Sequence, residues 1–262
     1  MTTVGIVGAG VIGSAIAAAC AAAGHTVRIT DRDQGRLNLV ARSDRAADLA
    51  GLADSDVVIE AISEDVDAKR GLLEALTADR GPAGNAGLLL TTTSAFTVTE
   101  LAAGLSEPQR LAGLHVMPTV AGIRLAEVAP GAHTSTETVA AAEEFARGLG
   151  WTPLVVGDRP GRLTRRLLMP FVNQVVQAYD DGLASAADID RVAELGLGHR
   201  RGPLAVLDAA GLADHLAATR AAYEAVHDPW LAPPPLLARL VAASGEPRFH
   251  AAADEWNGAP KQ

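Results

Sequence analysis

Val4-Gly5-Ile6-Val7-Gly8-Ala9-Gly10-Val11-Ile12-Gly13 is the stretch whose reading decides the fold. A Gly-x-Gly-x-x-Gly string carries little weight alone, because turns need glycine wherever they occur. Its flanks give it meaning. Val4 to Val7 reads as a buried strand, Val11 to Ala23 as an Ala-rich helix stopped at Gly24-His25, and Thr26 to Thr30 as a second strand running into Asp31. In such a unit Gly8 allows the tight turn, Gly10 lets the backbone approach a pyrophosphate, and Gly13 lets helix and strand pack closely. The helix start, at Val11 and Ile12, faces the phosphates with its free N–H groups. Asp31 stands roughly twenty residues on, where a carboxylate accepts from the adenosine ribose hydroxyls and repels a 2′-phosphate. The cofactor implied is NAD.

Outward from this unit, short apolar runs alternate with helical stretches to about residue 157. Strands are expected near 4–7, 26–30, 39–41, 56–60, 87–91, 111–115, 125–129 and 153–156. Helices are expected near 11–23, 45–53, 65–79, 97–104 and 136–149. That alternation is an α/β pattern, a doubly wound Rossmann-type sheet. From Asp158 the texture changes. Leu163 to Asp181, Ala187 to Leu195, Pro203 to Leu207, Leu212 to Val226 and Pro235 to Ala243 read as helices, and Ser244 to Gln262 shows little periodicity. Two domains are expected: residues 1–157 for the sheet and the cofactor, and a smaller all-helical domain over 158–262.

Composition bounds the function. Hydrophobic residues make up 48% of the 262, but aromatics only 3%, so Ala, Leu and Val must fill the core. With 22 basic against 31 acidic residues the net charge is −9, which argues against a nucleic-acid partner. The one cysteine, Cys20, lies in the first helix among alanines and reads as a buried, inert thiol. Seven histidines are scattered without zinc-like spacing. Residues 4–23 are apolar enough to imitate a signal peptide or a membrane span. No basic residue precedes them, glycines break them, and they run straight into a strand, so the expectation is a cytoplasmic protein with no membrane partner.

Four further segments carry chemistry. Thr91-Thr92-Thr93-Ser94 ends a strand and opens a loop, Gly113-Leu114-His115 ends another, and Leu125-Ala126-Glu127-Val128 forms the next. Pro160-Gly161-Arg162-Leu163-Thr164-Arg165-Arg166 opens the long helix. A carboxylate on one imidazole nitrogen fixes the tautomer and makes the other a better base, and His and Glu on adjacent strands can meet in this way. Taken singly, each residue has a plainer reading. His115 would be a packed or capping histidine, Glu127 a solvated strand residue, Ser94 a helix N-cap, and Glu64 and Lys69 surface charges on one helix.

Together these segments resemble the 3-hydroxyacyl-CoA dehydrogenase family over most of the chain. The likeness runs through Gly8 to Gly13, Ile59-Glu60-Ala61 with Glu64 and Lys69, Ser94, Gly113-Leu114-His115 and Leu125 to Val128. It continues in Pro160-Gly161, Arg166-Leu167-Leu168, Asn173, Ile189-Asp190 and Gly202-Pro203-Leu204. The resemblance implies that His115 is the general base or acid, that Glu127 pairs with it, and that Ser94 hydrogen-bonds the substrate. It places Glu60 and Lys69 at the cofactor and implies a homodimer through the helical domain.

Departures from the family alter the expected substrate. Position 165, an asparagine in the family, is Arg165, which could clamp a carboxylate or phosphate or could block the family's substrate geometry. The family's Phe-Phe-Asn-Pro after the histidine is here Val116-Met117-Pro118-Thr119, and Thr92 replaces another asparagine. The family carries a pair of long helices after its second strand that grip the CoA adenine. Here about seven residues separate Asp31 from a strand expected near Leu39, the length of an ordinary connection. The reading is an NAD-dependent oxidoreductase interconverting 3-hydroxyacyl and 3-oxoacyl groups, on a carrier-protein-bound substrate or a small-molecule acid. A hydroxy-acid or imine oxidoreductase on the same scaffold, or an inactive NAD-binding protein, are the alternatives.

Overall fold

The computed structural model describes residues 1–37, 44–52, 54–78, 87–117, 124–243 and 248–250. Contacts divide the chain into two units, Met1–Leu163 and Thr164–Gln262. The first is built on one sheet, with β1 (Thr3–Val7), β2 (Thr26–Thr30), β3 (Asp44–Arg45), β4 (Val57–Glu60), β5 (Leu88–Thr91), β6 (Leu111–Val116), β7 (Leu125–Pro130) and β8 (Thr152–Val155). Their order is β3-β2-β1-β4-β5-β6-β7-β8, and every neighbouring pair is parallel except β6–β7. The strand order therefore reverses between β1 and β4, the crevice where open α/β sheets bind ligands. The helices are α1 (Val11–Ala22), α2 (Gln34–Leu37), α3 (Val66–Thr77), α4 (Val98–Ala102) and α5 (Thr136–Gly148).

Strands buried on both faces read as continuous apolar runs, and alternate residues serve opposite cores. Val57, Ile59, Leu88, Leu90, Ala112 and Leu114 join one cluster with Ile16 of α1 and Phe145 of α5. Val58, Leu89 and Leu111 join the other with Leu73 of α3 and Leu101 of α4. By the same alternation Glu60, Thr91, Gly113 and His115 project to the α3–α4 face. Cys20 is fully buried, and burial pushes its thiol up to about 12, so it is inert at neutral pH.

One segment differs from expectation. The strand placed near 39–41 falls outside the described residues, and no α-helix forms over the described part of 45–53. Asp44 and Arg45 instead pair in parallel with Arg28 and Ile29, and the Ala46 N–H extends that ladder to Ile29 O at 2.9 Å. Only Leu49–Leu52 turns, as a short 3₁₀ helix. Pairing at the sheet edge overrides the helical preference of an Ala-rich run.

The second unit is helical. α6 (Arg162–Asp180) leads into it, followed by α7 (Ala186–Leu197), α8 (Pro203–Ala210), α9 (Leu212–Val226) and α10 (Pro235–Ala242). Val176, Leu204 and Leu237 lie at the centre of its core, and Phe249 is buried there with its ring edge-on to Tyr179 at 5.4 Å. Among the described residues no helix is long and apolar enough to cross a membrane, and no group of side chains could hold a metal ion.

Candidate active site

The glycine loop is built as its residue types require. Gly8 has φ +110, and a Cβ there would stand 2.4 Å from Ala61 O, so only glycine fits. A Cβ on Gly13 would meet Gly8 O at 1.9 Å, which is why helix and strand can approach there. Gly10 is different: nothing lies within 4 Å of a Cβ built on it. Packing does not demand a glycine at this point, and the open space suits the approach of a phosphate. α1 starts at Gly10 without a side-chain cap, with Val11 exposed and Ile12 half-buried, so its first N–H groups are available to an anion. Asp31 Oδ2 accepts from Ala9 N at 2.6 Å and Oδ1 from Asp33 N at 2.8 Å. The carboxylate thus ties the glycine turn to the end of β2 and keeps lone pairs for hydroxyl donors. These features fit the pyrophosphate and adenosine ribose of NAD.

At the ends of β4 and β5 lies a buried charged network. Lys69 Nζ donates to Glu60 Oε1 at 2.6 Å and to Ile62 O at 3.2 Å, and both charged side chains are fully buried. Glu60 Oε2 accepts from Thr91 Oγ1 at 2.6 Å. Lys69, read from sequence as a surface charge or a cofactor contact, and Glu60, read as a cofactor contact, are here bonded to one another. Glu64, 3.5 Å from Lys69, holds the next loop: its carboxylate accepts from Ser94 N at 2.7 Å, Ala95 N at 3.3 Å and Thr93 Oγ1 at 2.7 Å. Burial alone would raise the Glu64 carboxyl. Lys69 and these donors outweigh it and hold the group below the usual carboxylate range. Ser94 Oγ donates to Glu64 Oε1 at 3.3 Å, and Ser94 is buried.

His115 and Glu127 stand directly opposite one another in the antiparallel β6–β7 pair. His115 Nδ1 lies 2.7 Å from Glu127 Oε2, and both residues are buried. A carboxylate beside Nδ1 fixes the proton there and leaves Nε2 as the second functional nitrogen. Cross-strand register makes this contact a consequence of the fold.

Arg165 belongs to the helical unit, near the start of α6, and is half-buried. Its charge acts on His215, whose ring is held down to about 4, first by burial and then by Arg165. Asn173 Nδ2 donates to Thr219 Oγ1 at 2.8 Å, so its Oδ1 accepts from His215 Nε2 at 3.0 Å. Sequence reading did not find this cluster, nor the buried Asp158 and Arg162 described below.

Fold and glycine loop define a dinucleotide-binding protein of the Rossmann kind. The NAD-binding domain of 3-hydroxyacyl-CoA dehydrogenase matches residues 3–44 and 37–159, and the C-terminal domain of 3-hydroxyacyl-CoA dehydrogenase matches 161–249. The chain belongs to the 3-hydroxyacyl-CoA dehydrogenase family and is an NAD-dependent oxidoreductase of that type. It is 33% identical to a probable 3-hydroxybutyryl-CoA dehydrogenase of Deinococcus radiodurans, over 91% of this chain and 94% of that one. The crystal structure of (S)-3-hydroxybutyryl-CoA dehydrogenase from Ralstonia eutropha is similar with a TM-score of 0.80 and 32% identity, covering 92% and 94%. A diketoreductase described as acting on dicarbonyl compounds is similar with a TM-score of 0.76 and 25% identity, covering 92% of each chain.

Proposed function

We propose that this protein interconverts a 3-hydroxyacyl and a 3-oxoacyl group with NAD(H), and that His115 carries the proton. The observation that supports this best is the buried His115–Glu127 pair at 2.7 Å. In oxidation His115 Nε2 takes the hydroxyl proton as the carbinol hydrogen leaves as hydride, and in reduction it returns a proton to the carbonyl oxygen. Glu127 stabilises the imidazolium that forms. Ser94 Oγ hydrogen-bonds the substrate oxygen. The nicotinamide dinucleotide, when bound, accepts or supplies the hydride. Gly8, Gly10, Gly13 and the start of α1 at Val11 and Ile12 would hold its pyrophosphate. Asp31 would hold the adenosine ribose and disfavour a 2′-phosphate. Glu60 and Lys69 serve the cofactor side by fixing the end of β4.

The substrate proposed is not gripped through the CoA adenine. β2 ends at Thr30 and β3 begins at Asp44, which leaves no length for two long helices, and a single four-residue helix is described between them. A carrier-bound 3-oxoacyl thioester, or a small acid held by Arg165, suits that site. Similarity to a diketoreductase favours the small-substrate version. The test follows NADH absorbance with 3-oxobutyryl-CoA, the matching pantetheine thioester and free 3-oxo acids. A pantetheine thioester should reach a kcat/KM within about tenfold of the CoA ester, because little binding energy comes from the adenine. Turnover of free acids with none of either thioester would overturn the 3-hydroxyacyl thioester reading. A homodimer through the helical unit belongs to the same proposal. Leu183, Val192, Leu195 and Leu197 leave large apolar side chains exposed there, and a monomeric mass by light scattering would count against it.

A further inference from the structure

Arg162 stands where no surface role explains it. Its side chain is fully buried, and its ion-pair partner Asp158 is nearly so. Taking a guanidinium out of water is costly unless its donors find partners, so burial at this position needs a reason. Nη1 donates to Asp158 Oδ1 at 3.1 Å and to Arg159 O at 3.3 Å. Nη2 donates to Thr93 O at 3.1 Å and Phe96 O at 3.3 Å. Nε is buried with no hydrogen-bond partner among the described residues. The backbone adds a second cost, since Arg162 has φ +49, a left-handed conformation that a long side chain adopts only when its surroundings enforce it.

The partners show what the cost secures. Thr93 and Phe96 bracket Ser94, so the guanidinium grips that loop by its carbonyls while Glu64 grips it by its N–H groups. Gly161 N adds a bond to Ser94 O at 2.7 Å. Asp158, the anchor on the far side, accepts from Val98 N at 2.7 Å and from Thr99 N at 2.9 Å and so fixes the first turn of α4. Nη2 also lies over β6. A Cβ on Gly113 would stand 3.2 Å from it, and Gly113 shares a sheet face with His115 two residues on.

The geometry points to Arg162 as a positioning residue for the reaction: anchored by Asp158, its guanidinium fixes the Thr93–Phe96 loop so that Ser94 Oγ stands where the substrate oxygen binds. This rests on the reading of Ser94 as the substrate-holding hydroxyl. Lysine keeps the charge but loses the fork that spans three carbonyls and a carboxylate, so it cannot replace arginine here. A residue that acts through Ser94 should lose its kinetic effect once the Ser94 hydroxyl is gone. A residue that only supports the fold should not.

A double-mutant cycle on turnover of the 3-oxobutyryl thioester with NADH reads this difference. Arg162→Lys should lower kcat about tenfold or more, since a small misplacement of a positioned group has that effect. The NADH dissociation constant, measured by fluorescence, should move by less than about twofold. In a Ser94→Ala background the same change should cost less than about twofold further, the mark of coupled residues. Asp158→Asn, alone and with Ser94→Ala, leaves the arginine in place and supplies the same cycle if Arg162→Lys does not fold. Losses that multiply fully in the Ser94→Ala background, or a lowered Tm with kcat unchanged, would overturn the role of Arg162 and leave that of Ser94 standing. A Ser94→Ala enzyme as active as the parent would overturn both.

Discussion

His115 Nδ1 is committed to Glu127, which leaves Nε2 as the nitrogen that can exchange a proton with a substrate. His115→Gln keeps a donor near Glu127 and removes the exchangeable site. It should lower kcat by about 10²- to 10⁴-fold, the range for loss of a general acid–base group. NADH affinity should stay within about twofold, because the glycine loop is untouched. An equal loss of cofactor binding would place His115 in the scaffold and not in the chemistry. This pair was legible in the sequence, because two residues on adjacent strands meet whenever their register aligns them. The support around it was not. Lys69 reads as one more charge on an amphipathic helix, and only packing shows that Glu60 draws it fully inward. Arg162 lies beside Arg165 and Arg166 in a run that looks solvated, and its burial depends on carbonyls of residues 93 and 96, far away in sequence.

Elements were read well where two signals agreed. β1, α1 and β2 are framed by glycines whose steric demands leave no alternative, and the structure places them within a residue of expectation. Gly13 puts that demand to the test. A Cβ at this position would overlap Gly8 O at 1.9 Å, a backbone atom that cannot swing aside. Gly13→Ala should therefore displace α1 from β1 and weaken NADH binding about tenfold or more, or prevent folding. Gly10→Ala should leave Tm within a few degrees, as its Cβ meets nothing in the protein, yet still weaken NADH binding. Comparing the two variants by thermal melting and by NADH titration separates the packing glycine from the ligand glycine. Unchanged cofactor affinity in Gly10→Ala would remove the phosphate from that position. Residues 45–53 show the opposite case. Their composition favours helix, but β3 is decided by the free edge of β2, a partner that a local pattern does not display.

At the scale of the whole molecule, acid should act on the two units in different pH windows. In the helical unit His215 has its value lowered from 6.5 to about 4, by burial and then by Arg165. As pH falls the unfolded chain binds this proton first, so the stability His215 contributes is complete above about 6.5 and drains away down to about 4. The shift corresponds to a loss on the order of 3 kcal/mol. In the sheet unit the Glu64 carboxyl is held below its ordinary 4.5, so its contribution is complete above about 4.5 and is lost below that, as pH falls through the folded value. Calorimetry between pH 7 and pH 3 should then show the helical unit's transition moving first. His215→Gln, whose amide can still donate to Asn173 Oδ1, should flatten the decline between pH 6.5 and 4 and leave the more acidic limb intact. Glu64→Gln should do the reverse, since an amide cannot be protonated near pH 4 and accepts the Ser94 and Ala95 N–H groups with one oxygen only. A decline between pH 6.5 and 4 that survives His215→Gln at full slope would show that the ring does not control this unit's acid sensitivity.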